Sequence, residues 1–575
     1  MTENKRMHFG VLVASLDDTC QCSVLDGINE YAKGRDIDVS VYIGTHQAIG
    51  QYYVANYDTC YEIIRSDDTL DGLILFTGYI TDIKGHDSFK EHFAEIYKHL
   101  PTVSISFDLP GMPTVLADNT SGIYSIVNHL IKTHGKKKIA FVKGPDGHPE
   151  AEERLSGYKK ALEANGIKLD EDYILPGDFT PQCGYAAVAE LTDVRKLPFD
   201  AIVASDDATA TGVISELKNR GISVPKEVAV TGFDDDRAAT ISIPSISTVR
   251  QNFFKVGMVS METLYREVSG VGAEAQTYID PIVIHRQSCG CIGKELSEIK
   301  AVNSGIPGEK DCLDSYVLRE FISLFRDNVP NEKIRDWVYD LIERIEAEPF
   351  DEKSFFRLTN EILIEYNHYS ADFQKWHNAV DVLSRGIGFF SSELEYPKTI
   401  LSTLISTTTF INDLTLNERK AMEFELTDAQ EEIRIIMSTL VLTYDIDSLV
   451  KEMSESFPTL SINAAIIGMY RKAIKTGESG KDREIDELKG FSGEKIFSIK
   501  RNGSDPLILS GQHIIECFGL EQKRRTLFVF PLFFEDEEMG FLLLPYNAQM
   551  VLGVYENIRI SVAAVVKGAG LLSGK

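Results

Sequence analysis

The chain has 575 residues, 43% of them hydrophobic and 25% charged, which is ordinary globular composition with enough length for three or four domains. A formal net charge of -28 with no dense Lys/Arg run argues against holding a phosphate backbone, and no apolar run is long enough to span a bilayer, so neither a DNA-binding nor a membrane protein is expected. Eight cysteines in so long a chain are too sparse for a disulfide scaffold and fit the reduced thiols of a cytoplasmic protein. In chain order, "FGVLVAS", "VSVYIG", "GLILFTG", "TVSISFD", "KKIAFVKG", "DAIVASDD" and "VAVTGFDD" read as short buried strands between residue 8 and about 290. Helical segments such as "SVLDGINEYAK" and "GIYSIVNHLIKTHG" alternate with them, which predicts doubly wound α/β architecture. Nearly 300 residues exceed one such sheet, so two lobes with a cleft are expected. From about Leu313 to Leu426 the pattern turns wholly helical, predicting a bundle. A further long helix, roughly Asn417 to Thr443, leads into the strands "NAAIIGMYRK", "EKIFSIKR", "RTLFVFPLFF" and "MGFLLLPYN" and a closing helix from about Val554 to Leu572, a small α+β domain.

The stretch 201–236 carries the chemistry. Ala201 to Ala204 and Val228 to Thr231 are strand-like, with a helix from Ala208 to Asn219 between them, so the strands run parallel. Both end in acid, at Ser205-Asp206-Asp207 and at Gly232-Phe233-Asp234-Asp235-Asp236. Open parallel sheets bind ligands at the carboxyl ends of their strands, which puts both acidic clusters on one rim. The competing reading for Asp206 and Asp234, and for Asp118 before "TSGIYSIVNHL", is helix N-capping. For Arg154, beside Glu152 and Glu153, it is a solvated helix position.

Over about residues 7 to 288 the chain resembles the effector-binding core of the LacI/GalR family of sugar-responsive regulators. The motifs that carry the resemblance are "GVLVAS", "VLADNTSG", "RLSGY", "VASDDATATG", "VPKEVAVTGFDD" and "STVRQ", in the family's order. The resemblance implies a type I periplasmic-binding-protein-like fold, two α/β lobes joined by crossover strands that close on a small ligand. By position it implies ligand contacts at Asp118, Arg154, Ser205, Asp206, Asp234 and Gln251, with Ser15 and Asp17 after the first strand as further candidates. Ser205 stands where the family often has Asn, which shortens the side chain and removes an amide donor. Carboxylates and one forked arginine suit the hydroxyls of a neutral sugar or polyol. Family regulators carry a helix-turn-helix headpiece before this core. Here a strand begins within about ten residues of Met1, so direct DNA binding is not expected and the signal is expected to pass through residues 293 to 575.

"FVFPLFFEDEEMGFLLLPYN" resembles the strand, loop, strand signature of GAF domains, which implies a GAF-like module with signalling helices. The expected division is therefore residues 1–292 for the ligand-binding core, 293–426 for a helical transmitter and 427–575 for the GAF-like domain. No Walker loop, Rossmann glycine fingerprint, HExxH or GxSxG is present, so no enzyme and no cofactor is expected. The CxC pairs Cys20-Gln-Cys22 and Cys289-Gly-Cys291 read as ordinary thiols rather than a metal site, and Cys517 in "IIECFGL" reads as buried rather than as a bilin attachment point. The expected function is a cytoplasmic sensor that passes its state to transcription or to a separate output protein. The alternatives are the input half of a kinase or cyclase and a solute-binding protein for transport. A homodimer is expected through the stripe Met422, Leu426, Ala429, Ile433, Ile436 and Leu440, or through the helix from Tyr555 to Leu572. The competing reading is that the stripe packs on its own sheet.

Overall fold

The computed structural model describes residues 6–14, 16, 19–44, 46–49, 52–55, 60, 64, 69–77, 97–291, 312–370, 373–390, 396–475, 484–500, 524–534, 537–547 and 553–573. They form two compact units, one of residues 1–291 with 432–575 and one of residues 292–431.

In the larger unit the strands predicted between residues 8 and 231 are all present and fall into two sheets. The first lobe places Gln276–Ile279, Thr114–Ala117, Thr102–Ile105, Gly72–Phe76, His8–Val13 and Asp38–Ile43 side by side, all parallel. The second lobe has the order Ala229–Thr231, Ala201–Ala204, Ile139–Val142, Ile174–Leu175, again parallel. Helices Asn119–Lys132 and Pro149–Ala164 contribute Ile123, Ile126, Tyr158 and Ala161 to the core on one of its faces, and Pro181–Ala189 and Asp207–Asn219 contribute Val188, Val213 and Leu217 to the other. The chain passes from one lobe to the other at Asp118, at Asn252 and at Asp280. This is a mixed α/β, two-lobed core of the type I periplasmic-binding-protein kind.

The first-lobe sheet does not stop at Asp38–Ile43. Strand Thr526–Phe534 pairs with it in parallel, Thr526 opposite Val39 through Val529 opposite Tyr42, and the antiparallel strands Glu537–Pro545, Ala464–Lys475, Ile485–Ser492 and Lys495–Lys500 follow, giving an 11-stranded sheet. An uncovered edge strand is a template for unwanted pairing, and here the C-terminal strands cover it. The seam is also polar: the Arg525 amide donates to Asp38 Oδ1 at 2.9 Å and Tyr546 Oη donates to Asp26 Oδ1 at 3.0 Å. Val39, Val41, Phe528, Phe530 and Tyr555 belong to one hydrophobic core. The strand Ile485–Ser492, "IDELKGFS", has too polar a sequence to be read in advance.

The smaller unit is helical, with Leu313–Phe325, Asn331–Ile345, Glu352–Asn367 and Gln374–Phe389 packed around Phe321, Phe325, Trp337, Tyr366 and Trp376. The helix expected to begin near Asn417 begins at Pro397 and runs to Val441. The extra length is Thr-rich, and β-branched residues disguise a helix, yet Thr403, Thr407, Thr408 and Thr415 each donate a hydroxyl to the carbonyl four residues back.

Of the stripe expected to dimerise, Ile436 and Leu440 are buried in the core of their own larger unit, with Ile433 packed against it, so the competing reading holds at these positions. The side chains of Met422, Leu426 and Ala429 lie outside the described residues. Tyr555, Ile558 and Val562 of helix Gly553–Ser573 are likewise buried within the same core, while Leu571 and Leu572 are exposed. Among the described residues no helix is long and apolar enough to cross a membrane. Cys517 lies outside the described residues.

Candidate ligand-binding site

The strands Ala201–Ala204 and Ala229–Thr231 are adjacent and parallel, so the acids that follow them emerge on one rim of the second lobe. The five acids there do different work. Asp206 caps helix Asp207–Asn219, accepting from the Thr209 amide at 3.2 Å. Asp207 is fully buried and joins three segments: Thr248 Oγ1 donates to its Oδ1 at 2.7 Å and the Asp236 amide to its Oδ2 at 2.9 Å. Gly232 is required opposite it, because a Cβ there would lie 2.1 Å from Asp207 Oδ1. Asp236 caps helix Arg237–Ile241, and Asp235 pairs with Arg250 and Arg286, both at 2.6 Å. Asp234 caps nothing. It sits at φ +102, a conformation costly for a side chain bearing a Cβ, with its carboxylate turned to Gln251 and Arg154.

Arg154 is the hub. It is 3% exposed, not the solvated helix position that its acidic neighbours suggest. Its Nε donates to Asn119 Oδ1 at 3.0 Å, Nη1 to the Ser205 carbonyl at 2.8 Å, and Nη2 to Glu150 Oε2 at 3.2 Å and Asp234 Oδ1 at 3.4 Å. The guanidinium lies 4.0 Å from the Phe233 ring centroid and 5.6 Å from that of Phe179. Gly144 makes room for Phe179, since a Cβ there would come within 2.3 Å of the ring. Gln251 Nε2 donates to Asp234 Oδ1 at 2.7 Å. A buried charge has to be paired, and three segments distant in sequence converge with Glu150 of its own helix to pair this one.

Carboxylate outnumbers cation here, and burial raises the proton affinity of the acids. Asp206 is pushed up to about 6 by desolvation, with the nearby Asp234 charge adding to it and the Thr209 hydrogen bond opposing. Glu150 is raised by burial even with Arg154 beside it, and Asp207 is raised well above the usual carboxylate range by the same cause. The Ser205 hydroxyl is fully buried and has no hydrogen-bond partner among the described residues. Such an orphan costs free energy unless a ligand group meets it.

Of the residues expected from the sequence, the structure brings Arg154, Ser205, Asp234 and Gln251 into one network and sets Asp206 directly after Ser205. Asp118 caps helix Asn119–Lys132, accepting from the Ser121 amide at 2.9 Å and hydroxyl at 2.6 Å, and its neighbour Asn119 is the residue that reaches Arg154. Ser15 and Asp17 lie outside the described residues. Sequence reasoning missed Glu150, Phe179 and Phe233. The i,i+4 spacing of Glu150 and Arg154 was a legible signal for the first, and nothing local marks the aromatic rings.

Residues 127–289 match the profile of the periplasmic binding protein-like domain. The chain is 33% identical over 159 residues to the HTH-type transcriptional repressor CytR of Escherichia coli (strain K12), covering 28% of this chain and 46% of that one. It is 32% identical over 199 residues to Catabolite control protein A of Priestia megaterium, covering 34% and 57%. Among solved structures, the transcriptional regulator CelR-cellobiose complex is similar at 24% identity and a TM-score of 0.41, covering 49% of this chain and 85% of that one. The chain spans about half the length of the curated relatives it matches. Residues 127–289 are thus a periplasmic-binding-protein-like domain whose homologues include transcriptional regulators of the LacI/GalR kind.

Proposed function

We propose that this protein is a cytoplasmic, non-enzymatic ligand sensor that binds a small neutral sugar or polyol beside Arg154 and passes its state to transcriptional or other signalling output. One observation carries the reading: a buried guanidinium held by Asp234, Glu150, Asn119 and the Ser205 carbonyl, next to a Ser205 hydroxyl that has no partner among the described residues and an Asp206 whose proton affinity burial raises. A ligand rich in hydroxyls supplies donors to Asp206, Asp234 and Ser205 without adding charge to a site already rich in carboxylate. Ser15, Asp17, Asp118 and Gln251 complete the proposed contact set. In this reading residues 1–292 sense, 293–426 transmit and 427–575 act as a GAF-like module, with a homodimer and a separate output protein completing the pathway. The net charge of -28 leaves direct duplex binding to a partner.

The test is a thermal-shift screen of the full chain against sugars, polyols and nucleosides, followed by calorimetry on any hit. A neutral sugar or polyol is expected to raise the melting temperature in a concentration-dependent way. Stabilisation by nucleosides and by no sugar would overturn the ligand class. A gel shift on duplex DNA at physiological salt is expected to show no competitor-resistant complex.

A further inference from the structure

The second lobe carries another cluster at the far end of helix Asn119–Lys132, on the opposite side from the arginine network. His129 lies in the last turn of this helix. The helix stops at Thr133, Gly135 takes φ +66, and the turn brings His134 back beside His129. From the other direction, the 3-10 turn Gln287–Cys289 ends on Gly290 at φ +99, a conformation that suits glycine. That turn presents Cys289 and Cys291 to the same place.

The donor atoms converge. His129 Nε2 is 3.1 Å from His134 Nε2, 3.3 Å from Cys291 Sγ and 3.8 Å from Cys289 Sγ, and Cys291 Sγ is 3.4 Å from His134 Nε2. All four ligand atoms fall within 4.8 Å of one another. Ordinary hydrogen bonding accounts poorly for this. A neutral imidazole nitrogen has one in-plane lone pair and accepts one good hydrogen bond, yet three potential donors face His129 Nε2. A tetrahedral zinc ion with Zn–N of about 2.0–2.1 Å and Zn–S of about 2.3 Å sets its ligand atoms about 3.3 to 3.8 Å apart, the range these contacts occupy or nearly reach. The ring of His285 lies tilted against His129 with centroids 3.9 Å apart and braces it.

We propose that His129, His134, Cys289 and Cys291 form a binding site for a divalent zinc-class ion. On binding, each thiol gives its proton to solvent and each sulfur gives the metal an electron pair, while the two imidazoles bind neutral. Two thiolates balance the dication, so the half-buried site carries no net charge. Four protein ligands leave no open position, which makes this a structural rather than a catalytic site. What it holds is the last stretch of the core before residue 292, clamped to the helix that begins at Asn119 about 15 Å away at 1.5 Å per residue. The expectation that Cys289 and Cys291 are ordinary thiols is replaced by this proposal. The first CxC pair takes no part in the cluster, and the partners are histidines.

The test uses the full chain purified without chelator from zinc-supplemented medium. Elemental analysis is expected to give one equivalent of zinc, lost in the Cys289→Ser/Cys291→Ser double variant. Metal-stripped wild-type protein titrated with cobalt is expected to develop the intense visible bands of tetrahedral cobalt with sulfur-to-cobalt charge transfer, saturating at one equivalent. The cobalt readout needs no variant to fold. Chelator should lower the melting temperature of the wild type and leave that of the double variant unchanged. Absence of both bound zinc and the tetrahedral cobalt spectrum would overturn the proposal, as would full metal content in the double variant or a Cys289–Cys291 disulfide in freshly isolated protein.

Discussion

The helical unit and the second lobe bury very different things. At the centre of the helical unit Trp337, Trp376, Phe321, Phe325 and Tyr366 meet edge-on or tilted with ring centroids 5.0 to 6.3 Å apart, the arrangement aromatic quadrupoles prefer. The second lobe gives the ends of its strands to Arg154, Asp206, Asp207, Ser205 and Gln251, all buried. Each of those polar groups must find partners; among the described residues the Ser205 hydroxyl has none, as is also true of Trp376 Nε1 and Tyr316 Oη in the helical unit. A region that packs apolar rings is built to persist; a region that buries charge and strains Asp234 has been shaped by something other than its own stability.

The largest effect expected from this contrast is in the helical unit. Trp376→Ala removes a ring that is 1% exposed and touches Phe321, Phe325, Trp337 and Tyr366, and should destabilise that unit by about 3 to 5 kcal/mol. Calorimetry should show its transition move while ligand affinity in the larger unit stays as it was. A matching loss of affinity would mean the two regions are not separable in this way. Arg154→Ala should act on the larger unit, destabilising it by leaving Asp234 and Glu150 without their cation, and on the ligand. Ligand affinity should fall by roughly 1.5 to 3 kcal/mol, the scale of a hydrogen bond to a charged group, and Asp234→Ala should follow it. Unchanged affinity in both variants would return the network to a purely structural role.

The same contrast separates what could be read in the sequence from what could not. The strands "AIVA" and "AVT" announce themselves as apolar runs that stop in acid, and their parallel pairing fixes the side of the sheet on which Asp206 and Asp234 emerge. Pairing partners distant in sequence leave no such mark. Nothing in "TLFVFPLFF" says that it will extend the sheet begun by "DVSVYI", nearly five hundred residues earlier, because edge pairing uses backbone groups that every residue carries. The aromatic rings on Arg154 and the histidines facing Cys291 escaped notice for the same reason. His129 and Cys291 are 162 positions apart, and only the fold joins them.

A third prediction turns on pH. Folding raises Asp206 from the ordinary 3.8 to about 6, so between those values the folded protein holds a proton that the unfolded chain has released. Stability therefore falls as pH rises through this window, by on the order of 3 kcal/mol in all, and the loss is complete above about pH 6. Glu150 and Asp207, raised by the same burial, push in the same direction. Asp206→Asn should flatten that part of the urea-melt profile and stabilise the ligand-free protein at pH 7, since Asn caps a helix as well as Asp. Should the variant keep the wild-type slope, Asp206 is not the group responsible.

The smallest effect is the sharpest discriminator. Ser205 Oγ is buried without a partner among the described residues, while the Ser205 carbonyl, which a substitution retains, accepts from Arg154. Ser205→Ala therefore deletes an unsatisfied polar atom and leaves the arginine anchored. Ligand-free stability should stay level or rise by about 1 kcal/mol, because burying an unmet hydroxyl costs on that scale. If the bound ligand satisfies the hydroxyl, affinity should move the other way, falling by about 0.5 to 1.5 kcal/mol, the net worth of a neutral hydrogen bond. Opposite signs in the two measurements, melting of the free protein and calorimetry of the complex, mark a residue kept for its ligand at the expense of the fold. A parallel loss in both would show that Ser205 serves packing, and the ligand site would then have to be sought among the acids alone.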